Sequence, residues 1–466
     1  MTANPNYQED IMKSEQALEL HQLVSVVSRH IESAEDQAIL LLIEPLSCSE
    51  IARLLEALPG KFRTSVWQHV SPELSGEILL KLHRDVRRSV IETMLPEALQ
   101  QSLSTLQMDE LADIDEDLPL SVMNDIVGAM DAQRLERYNL VRAFPDNTAG
   151  GLMDVDATAI RSEVSLKTVY RYLCQHRRRV GELSEHLDSL VVVDRSNRVQ
   201  GTLALSDLVS LNNALPVSQV MNTSATLIDS LTPAGEVAQL FRDLDLLSAP
   251  VVDANNCLLG RITVDDIIDV LGDEADKEIY SKAGLNKDQD MFSPVLESSV
   301  NRAVWLGTNL VTAFVAAAVI GMFEASIEQI VALAVLMPVV ASMGGVTGSQ
   351  TLTVVTRGIA LKQVGPANIG PLTLHELKVS AINGALWATV VFLVAIFWYQ
   401  DWQLGAVFGV ALFAVSLAGT LSGAIIPMLL KNMGVDPAIA GGVILTTITD
   451  SIGFLVFLGA ATKFLL

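Results

Sequence analysis

The sequence predicts a multidomain protein. A cytosolic α-superhelical N domain, a tandem pair of small α/β modules and a connecting helix precede an all-α membrane domain of five transmembrane helices. Three observations predict it. The whole net charge lies in the first 300 residues, a strand–turn–strand pattern recurs there at an offset of 59, and five apolar stretches of bilayer-spanning length follow residue 301.

The charge divides the chain. Residues 301–466 hold six basic and six acidic side chains, and the remaining 25 basic and 48 acidic ones account for the net −23. A soluble region that acidic disfavours nucleic acid and anionic lipid and favours cations. Acidity for solubility alone is the plain alternative. A mean hydropathy of +0.39 is too apolar for a soluble protein and too polar for one wholly in the membrane. Cys48, Cys174 and Cys257 are far apart and fit no metal spacing, as expected of reduced thiols in the cytosol. The polar, acidic start MTANPNYQEDIMKSE is unlike a signal peptide.

In chain order, residues 1–18 read as a disordered tail. Residues 19–145 read as short helices with Leu at i, i+3 and i+4, broken by Pro or polar turns, as in SEIARLLEAL and PELSGEILLKL. That pattern suits a compact superhelix, with a generic helical bundle as the alternative. SLVVVDRSNRVQGTLALSDLV (189–209) and SAPVVDANNCLLGRITVDDII (248–268) align in register. Each reads as strand, Asp-Asn turn, strand, then a helix opened by Asp207 or Asp266 as N-cap. Helical stretches at 165–173 and 233–241 precede the copies. The modules span 146–210 and 211–272, and two such units resemble a pair of CBS modules, which sense adenine nucleotides or ions. A connecting helix covers 273–301 and the membrane domain 302–466.

About 20 apolar residues cross a bilayer, and the five candidates are 303–323, 330–355, 379–399, 404–430 and 437–464. Arg302, Arg357, Lys362, Lys378 and Lys431 fall on the side of the soluble region, and only Lys463 on the other. The soluble region is therefore cytoplasmic and the C-terminus outside the cell (inner or plasma) membrane. Gly405/Gly409 and Gly419/Gly423, four apart, allow close helix approach. Single Ser and Thr residues in the spans are explained by hydrogen bonds within or between helices.

Asp450 is different. It lies midway along the fifth span, where an ionised Asp costs roughly 2.5–3.5 kcal/mol. No Arg or Lys lies deep in any span to pair with it. An ion pathway explains it best; a proton relay and a structural hydrogen bond are the alternatives. A second acidic feature is TVDDIIDVLGDEADKEIY (263–280). As a helix it groups Asp266, Asp269 and Asp273 on one face, and Glu274 and Glu278 in another row. Such carboxylates suit Mg²⁺, which takes oxygen ligands and keeps its waters; a solvated acidic face is the alternative.

Other classes fit poorly. His375-Glu376 begins an HExxH-like pattern, but Val379 occupies the second His position. An intramembrane aspartyl protease needs two deep carboxylates. A CBS-linked anion channel would want deep basic residues, and a purely structural membrane protein would not need Asp450. No Walker A pattern supplies an ATPase.

The motifs TAGGLMDVDA (148–157), TVDDIIDVL (263–271), MPVVASMGGVTGSQT (337–351) and GVDPAIAGGVILTTITDSIGF (434–454) complete the picture. Over about residues 20–466 the chain resembles the MgtE family of magnesium channels, also called magnesium transporters. The resemblance implies a homodimeric pore in which Asp450 binds hydrated Mg²⁺. It implies regulatory Mg²⁺ held by Asp109, Asp113, Asp245, Asp265, Asp266, Asp269, Glu274 and Glu278, closing the pore when cytosolic Mg²⁺ is high. Selectivity for Mg²⁺ over Co²⁺ and Mn²⁺ is left open. Thr263 and Asp266 fit the Thr-x-x-Asp that CBS modules use for ATP, whereas Ala204 replaces Thr in the first copy. Val346 stands where the family usually has Asn. Pro233, Gly235, Gly272 and Lys277 stand where at least some members place acids.

Overall fold

The computed structural model describes residues 20–104, 106–180, 187–286 and 288–466. The tail expected over 1–18 lies outside them. The chain forms two compact units, Met1–Ala275 with Asp288–Ser293, and Asp276–Lys287 with Pro294–Leu466.

The first unit opens with a run of short helices: α1 (Leu20–Glu32), α2 (Asp36–Ile43), α3 (Cys48–Glu56), α4 (Gly60–Trp67), α5 (Pro72–Lys81), α6 (Arg84–Ile91), α7 (Pro96–Leu103), α8 (Met108–Ile114), α9 (Leu120–Ala129) and α10 (Ala132–Arg142). Local sequence sets their ends. Ser47 and Glu50 form a capping box that opens α3. Pro72 and Pro96 occupy the first positions of α5 and α7, where a missing N–H costs nothing. The periodic leucines, among them Leu54, Leu55, Leu79, Leu99 and Leu103, pack into one continuous core.

A buried ion pair closes this unit on the segment Asp288–Ser293. Arg63 of α4 grips Asp290 at 2.5 and 2.6 Å and donates through Nε to Leu55 O at 2.7 Å. Their side chains are 2% and 8% exposed. Breaking one half of a pair buried so deeply costs about 3–5 kcal/mol.

After α11 (Ala149–Leu152) come two three-stranded sheets of the same topology. In one, β1 (Ala159–Arg161) runs parallel to β2 (Ser189–Val193), which pairs antiparallel with β3 (Val199–Ala204). In the other, β4 (Ile228–Asp229), β5 (Ser248–Val252) and β6 (Leu258–Thr263) repeat the pattern, with an irregularity at the equivalent place. Each turn is built by an Asx motif: Asp194 accepts from the Ser196 and Arg198 N–H groups, and Asp253 from those of Asn255 and Cys257. Asn197 and Asn256 both adopt φ +61, a left-handed conformation that Asn tolerates. The copies then pair through equivalent residues. Val199 N–H donates to Asn256 O and Leu258 N–H to Asn197 O, at 3.0 and 2.9 Å. This is the self-complementary contact expected of two related units about a two-fold axis.

Around the sheets lie α12 (Leu166–Val180), α13 (Leu205–Ser210), α14 (Val217–Val220), α15 (Ala234–Leu244) and α16 (Val264–Lys282). Contrary to expectation, Asp207 and Asp266 are not N-caps. The caps are Ala204 and Thr263, one residue before each helix, and the acids stand three residues after them. Asp266 accepts the Thr263 N–H at 3.0 Å, the carboxylate half of a capping box. The stretch 273–301 is not a single helix: α16 ends at Lys282 and the next helix starts at Val295.

The second unit holds α17 (Val295–Gly321), a short α18 (Glu324–Gln329), α19 (Ala332–Ala360), α20 (Ile369–Tyr399), α21 (Trp402–Asn432) and α22 (Pro437–Phe464). The five long helices are apolar enough to cross a membrane. The third begins ten residues before the apolar stretch at 379, because backbone hydrogen bonding continues past the charges that end a hydropathy window. His375, Glu376 and Lys378 are therefore helical. Asp401 caps α21 by accepting from Gln403 and Leu404 N–H at 2.8 and 3.1 Å.

α21 is the hub, with 61% of its apolar window buried against at most 33% in the others. Its glycines explain how. Gly405 and Gly409 face Phe392 O and Ala388 O of α20, where an added Cβ would come within 3.1 and 3.0 Å. Gly419 and Gly423 face Gly344 and Gly348 of α19 backbone to backbone; a Cβ on Gly419 would sit 2.6 Å from Gly344 O.

Gly419→Ala forces α19 and α21 apart. The expected result is a loss of about 1–3 kcal/mol, read as a lower thermal midpoint of the detergent-solubilised protein. Gly307→Ala, where nothing lies within 4 Å, is expected to leave the midpoint unchanged.

Candidate ion pathway and cation-sensing cluster

In the second unit α22 carries Asp450 at its midpoint, half-buried. The threonines around it are satisfied by their own helix. Thr447 Oγ1 donates to Val443 O at 2.7 Å, Thr446 Oγ1 to Gly442 O at 3.1 Å, and the fully buried Thr449 to Thr446 O at 3.1 Å. Asp450 has no hydrogen-bond or ion-pair partner among the described residues. The positions beside it are packed against α19 and α21. Gly344 leaves room for Thr449, with 3.4 Å between an added Cβ and Thr449 Cβ, and Gly453 rests against Val340 and Val415. A carboxylate midway along an apolar helix with no partner among the described residues is a candidate functional site.

A second carboxylate, Glu376, sits in the same unit within α20. Sequence reasoning weighed it only as part of a failed zinc motif. It accepts the Thr351 hydroxyl of α19 at 3.3 Å. The cleft beside it is also lined by Val346.

The first unit gathers acids around Asp113 of α8. Desolvation first, then the Asp146 carboxylate, pushes Asp113 up to about 7, with Asp266 and Glu110 adding to the rise and Arg87 opposing it. Asp113 nonetheless keeps open access to solvent, and with Asp115, Glu116 and Asp146 it lines a cleft of about 170 Å³. Asp266 of α16 is raised to about 6, chiefly by desolvation, against the Thr263 hydrogen bonds; Asp265 and Asp154 also raise it. Desolvation is the first cause of the raised Glu110 and Asp154 as well. Arg87 stays cationic, but its charge is already engaged by Asp117 at 3.4 Å. The set is short of positive charge.

The structure thus joins two of the expected residues, Asp113 and Asp266, and adds Asp146, Asp154 and Glu110. Asp154 was visible only as one acid in TAGGLMDVDA, and nothing in the sequence singled out Asp146. The fold brings Asp154 in by a strand bridge to Arg261 of β6, and Asp146 lines the cleft with Asp113. Asp109 lies on α8, but its side chain is outside the described residues. Asp269 is raised by desolvation first, with Lys81 of α5 opposing. Asp265 accepts the Thr263 hydroxyl, which also reaches Asp266 at 3.2 Å. The two residues expected to hold ATP, Thr263 and Asp266, are thus engaged with each other. Asp245 is an exposed, left-handed C-cap of α15, and no described hydrogen bond or ion pair joins it to the others. Glu274 lies over Gly235 in the first turn of α15. An acid at 235 would meet it head-on, whereas glycine leaves it at a helix N-terminus that favours negative charge. Glu278, in the second unit, pairs with Lys282 at 2.9 Å.

Among the described residues no three His, Cys, Asp or Glu converge tightly enough to chelate a bare metal ion. Loose, partly hydrated carboxylates suit an ion that keeps its waters, as Mg²⁺ does.

Comparison with known proteins bears on this arrangement. The magnesium transporter MgtE of Bacillus subtilis (strain 168) is 30% identical over 423 residues, 91% of this chain and 93% of its own. The chain belongs to the MgtE family. The family's divalent cation transporter profile matches residues 337–460, and its MgtE intracellular N domain profile residues 46–147. A CBS domain profile matches residues 217–273, the second of the two repeats. The magnesium transporter MgtE of Thermus thermophilus is 28% identical over 435 residues, 92% of this chain and 93% of its own. A crystal structure of the cytosolic domain of the Mg²⁺ channel MgtE in complex with ATP aligns at 25% identity and TM-score 0.47, covering 53% of this chain and 99% of its own.

The raised Asp113 carries a pH dependence. Its folded pKa, about 7, lies above the ordinary 3.8, so the folded state holds the proton more tightly. Stability is full below about pH 4 and falls as pH rises toward 7. In EDTA, proteolysis of the full-length protein is expected to be slower at pH 5.5 than at pH 8. Asp113→Asn should flatten that difference.

Proposed function

We propose that the protein conducts Mg²⁺ into the cytoplasm down the membrane potential, and that its acidic cytosolic domains sense intracellular Mg²⁺ and close the pathway. One observation carries the reading. Asp450 is an ionisable side chain at the middle of a membrane helix, without a partner among the described residues, in a chain of a divalent cation transporter family. Relatives at 28–30% identity bear the name magnesium transporter, which supports Mg²⁺ as the ion.

The mechanism follows from hydration. Mg²⁺ dehydrates reluctantly, so a carboxylate that recognises the hydrated ion avoids that cost. In a homodimer two Asp450 side chains facing each other across the axis would double the field on the ion. The membrane potential supplies about 4.6 kcal/mol per divalent ion per 100 mV, so no ATP hydrolysis is needed. The basic residues beside the spans support a topology with the first 300 residues in the cytoplasm and the C-terminus outside.

Regulation follows from the charge deficit. In high cytosolic Mg²⁺ the ion would neutralise the carboxylates around Asp113 and Asp266 and hold the N domain against the second CBS module. That is differential binding between two states. When Mg²⁺ falls, repulsion would loosen the contact and free α16, from which the chain continues toward the first span. ATP at the second CBS module would have to compete with the Thr263–Asp266 cap, so any nucleotide effect would act through this same helix start.

Asp450→Asn tests the pathway. In liposomes loaded with a Mg²⁺ indicator, uptake is expected to fall to the leak of empty vesicles while the protein still inserts; normal uptake would sink the assignment. Substituting Co²⁺ or Mn²⁺ in the same assay measures selectivity. For the sensor, Asp113→Asn with Asp266→Asn is expected to raise open probability at millimolar Mg²⁺ in patch recordings. Unchanged inhibition would refute it.

A further inference from the structure

We propose that the membrane unit contains a second site for a hydrated divalent cation, in a lateral cleft where Glu376 is surrounded by Thr351, Ser380, Asn383 and Thr420. These residues come from three helices, α19, α20 and α21, and Asp450 is not among the cleft's lining.

Three observations converge on the site. The first is an uncompensated charge. Glu376 has one described hydrogen bond, from the neutral Thr351 hydroxyl at 3.3 Å, and no ion pair among the described residues. The second is unsatisfied polarity. Ser380 is 4% and Thr420 1% exposed, yet neither hydroxyl oxygen has a partner among the described residues. Many hydroxyls in the unit bond to their own helix, as Ser416 Oγ does to Leu412 O at 2.8 Å; outside the cleft, Thr356 and Ser451 also lack a partner among the described residues. Leaving such groups unpaired against lipid costs several kcal/mol each, so the cleft is built for a polar occupant. The third is size. The cleft holds about 350 Å³. Six waters at about 30 Å³ each occupy roughly 180 Å³, so an octahedral hydrated ion fits with its shell intact.

The donor set selects the class of ion. It offers one carboxylate, an amide and hydroxyls, and no imidazole or thiolate, which favours a hard cation over zinc or copper. A single carboxylate cannot strip the waters from such an ion. It can accept hydrogen bonds from them, and the hydroxyls of Ser380 and Thr420 complete the outer contacts. Position adds a role. Glu376 lies nearer the end of α20 that carries Lys378 than the Tyr399 end, so the site would hold an ion near the cytoplasmic mouth rather than at mid-membrane.

This inference rests on the reading of the chain as a Mg²⁺ pathway, and its test separates the two. Trp387 lines the cleft, so its fluorescence reports occupancy, with Trp387→Phe identifying its share. Full-length protein in liposomes is titrated with Mg²⁺. A saturable Trp387 response is expected in the wild type and in Asp450→Asn alike, and Glu376→Gln should weaken its midpoint about tenfold or more. Ser380→Ala with Thr420→Val, which keeps the carboxylate, should weaken it by less. Hexaamminecobalt(III), whose ligands do not exchange, should compete for the same response. A response identical in Glu376→Gln and the wild type overturns the site, as does one that vanishes only in Asp450→Asn. Failure of hexaamminecobalt to compete overturns the hydrated form. Mg²⁺ flux is read in the same vesicles: no wild-type flux refutes the transport reading, whereas flux beside a silent cleft refutes this inference alone.

Discussion

The membrane unit depends on a backbone contact between two helices that lack side chains at the same places. Gly344 and Gly348 of α19 lie against Gly419 and Gly423 of α21, close enough that a single methyl group would reach a carbonyl oxygen. Helix association in lipid gains little from the hydrophobic effect, so contact of this kind is what holds helices together there. The consequence reaches the ion site. The same face of α19 that admits α21 also receives α22: Gly348 meets Leu445 and Gly344 meets Thr449. Thr449 is pinned inside, and Asp450, one residue on, takes a different face of the helix. The position of the carboxylate is thus a result of where glycines allow backbones to touch.

In the soluble unit an opposite principle operates. There the fold brings like charges together and leaves them short of counter-charge. Asp113, Asp146, Asp154, Asp266 and Glu110 influence one another, while the nearby Arg87 is engaged by Asp117. Elsewhere in the unit acids are amply matched: Asp117 faces Arg84, Arg87 and Arg88, and Asp290 is held by Arg63. The contrast marks the cluster as a place where part of the unit's excess acid is packed together without matching cations. The proposed Mg²⁺ sensing would draw on that imbalance, the ion's concentration deciding between two states.

The two repeats show how one residue redirects a shared pattern. Both copies end in a strand followed by a helix with an acid at its third position. In the first, Ala204 offers no hydroxyl and the helix spans six residues; in the second, Thr263 bonds Asp265 and Asp266 and α16 runs for 19 residues. Capping alone is worth about 1 kcal/mol, so the longer helix also owes its length to its continuous pattern of Ile and Val against charged residues.

The sequence by itself determined the layers of this protein. Charge asymmetry separated the soluble from the membrane half, the 59-residue offset revealed the paired modules, and the apolar runs located five spans and the isolated Asp450. These signals were legible because each is local: periodicity, composition and turn chemistry are read within a few residues. Helix ends were less legible. The capping residue before Asp266 and the early start of α20 depend on hydrogen bonds that hydropathy does not register. What only the tertiary structure decided was which distant carboxylates share a space. Asp154 joins Asp266 because a strand bridge to Arg261 carries it there, and Asp146 shares a cleft with Asp113. Glu376 meets Ser380 and Thr420 in one cleft because α20 and α21 pack through Gly409. The acidic cluster leaves no trace in residue spacing; in the cleft only the four-residue step from Glu376 to Ser380 does, and the rest is set by packing between elements far apart in the chain.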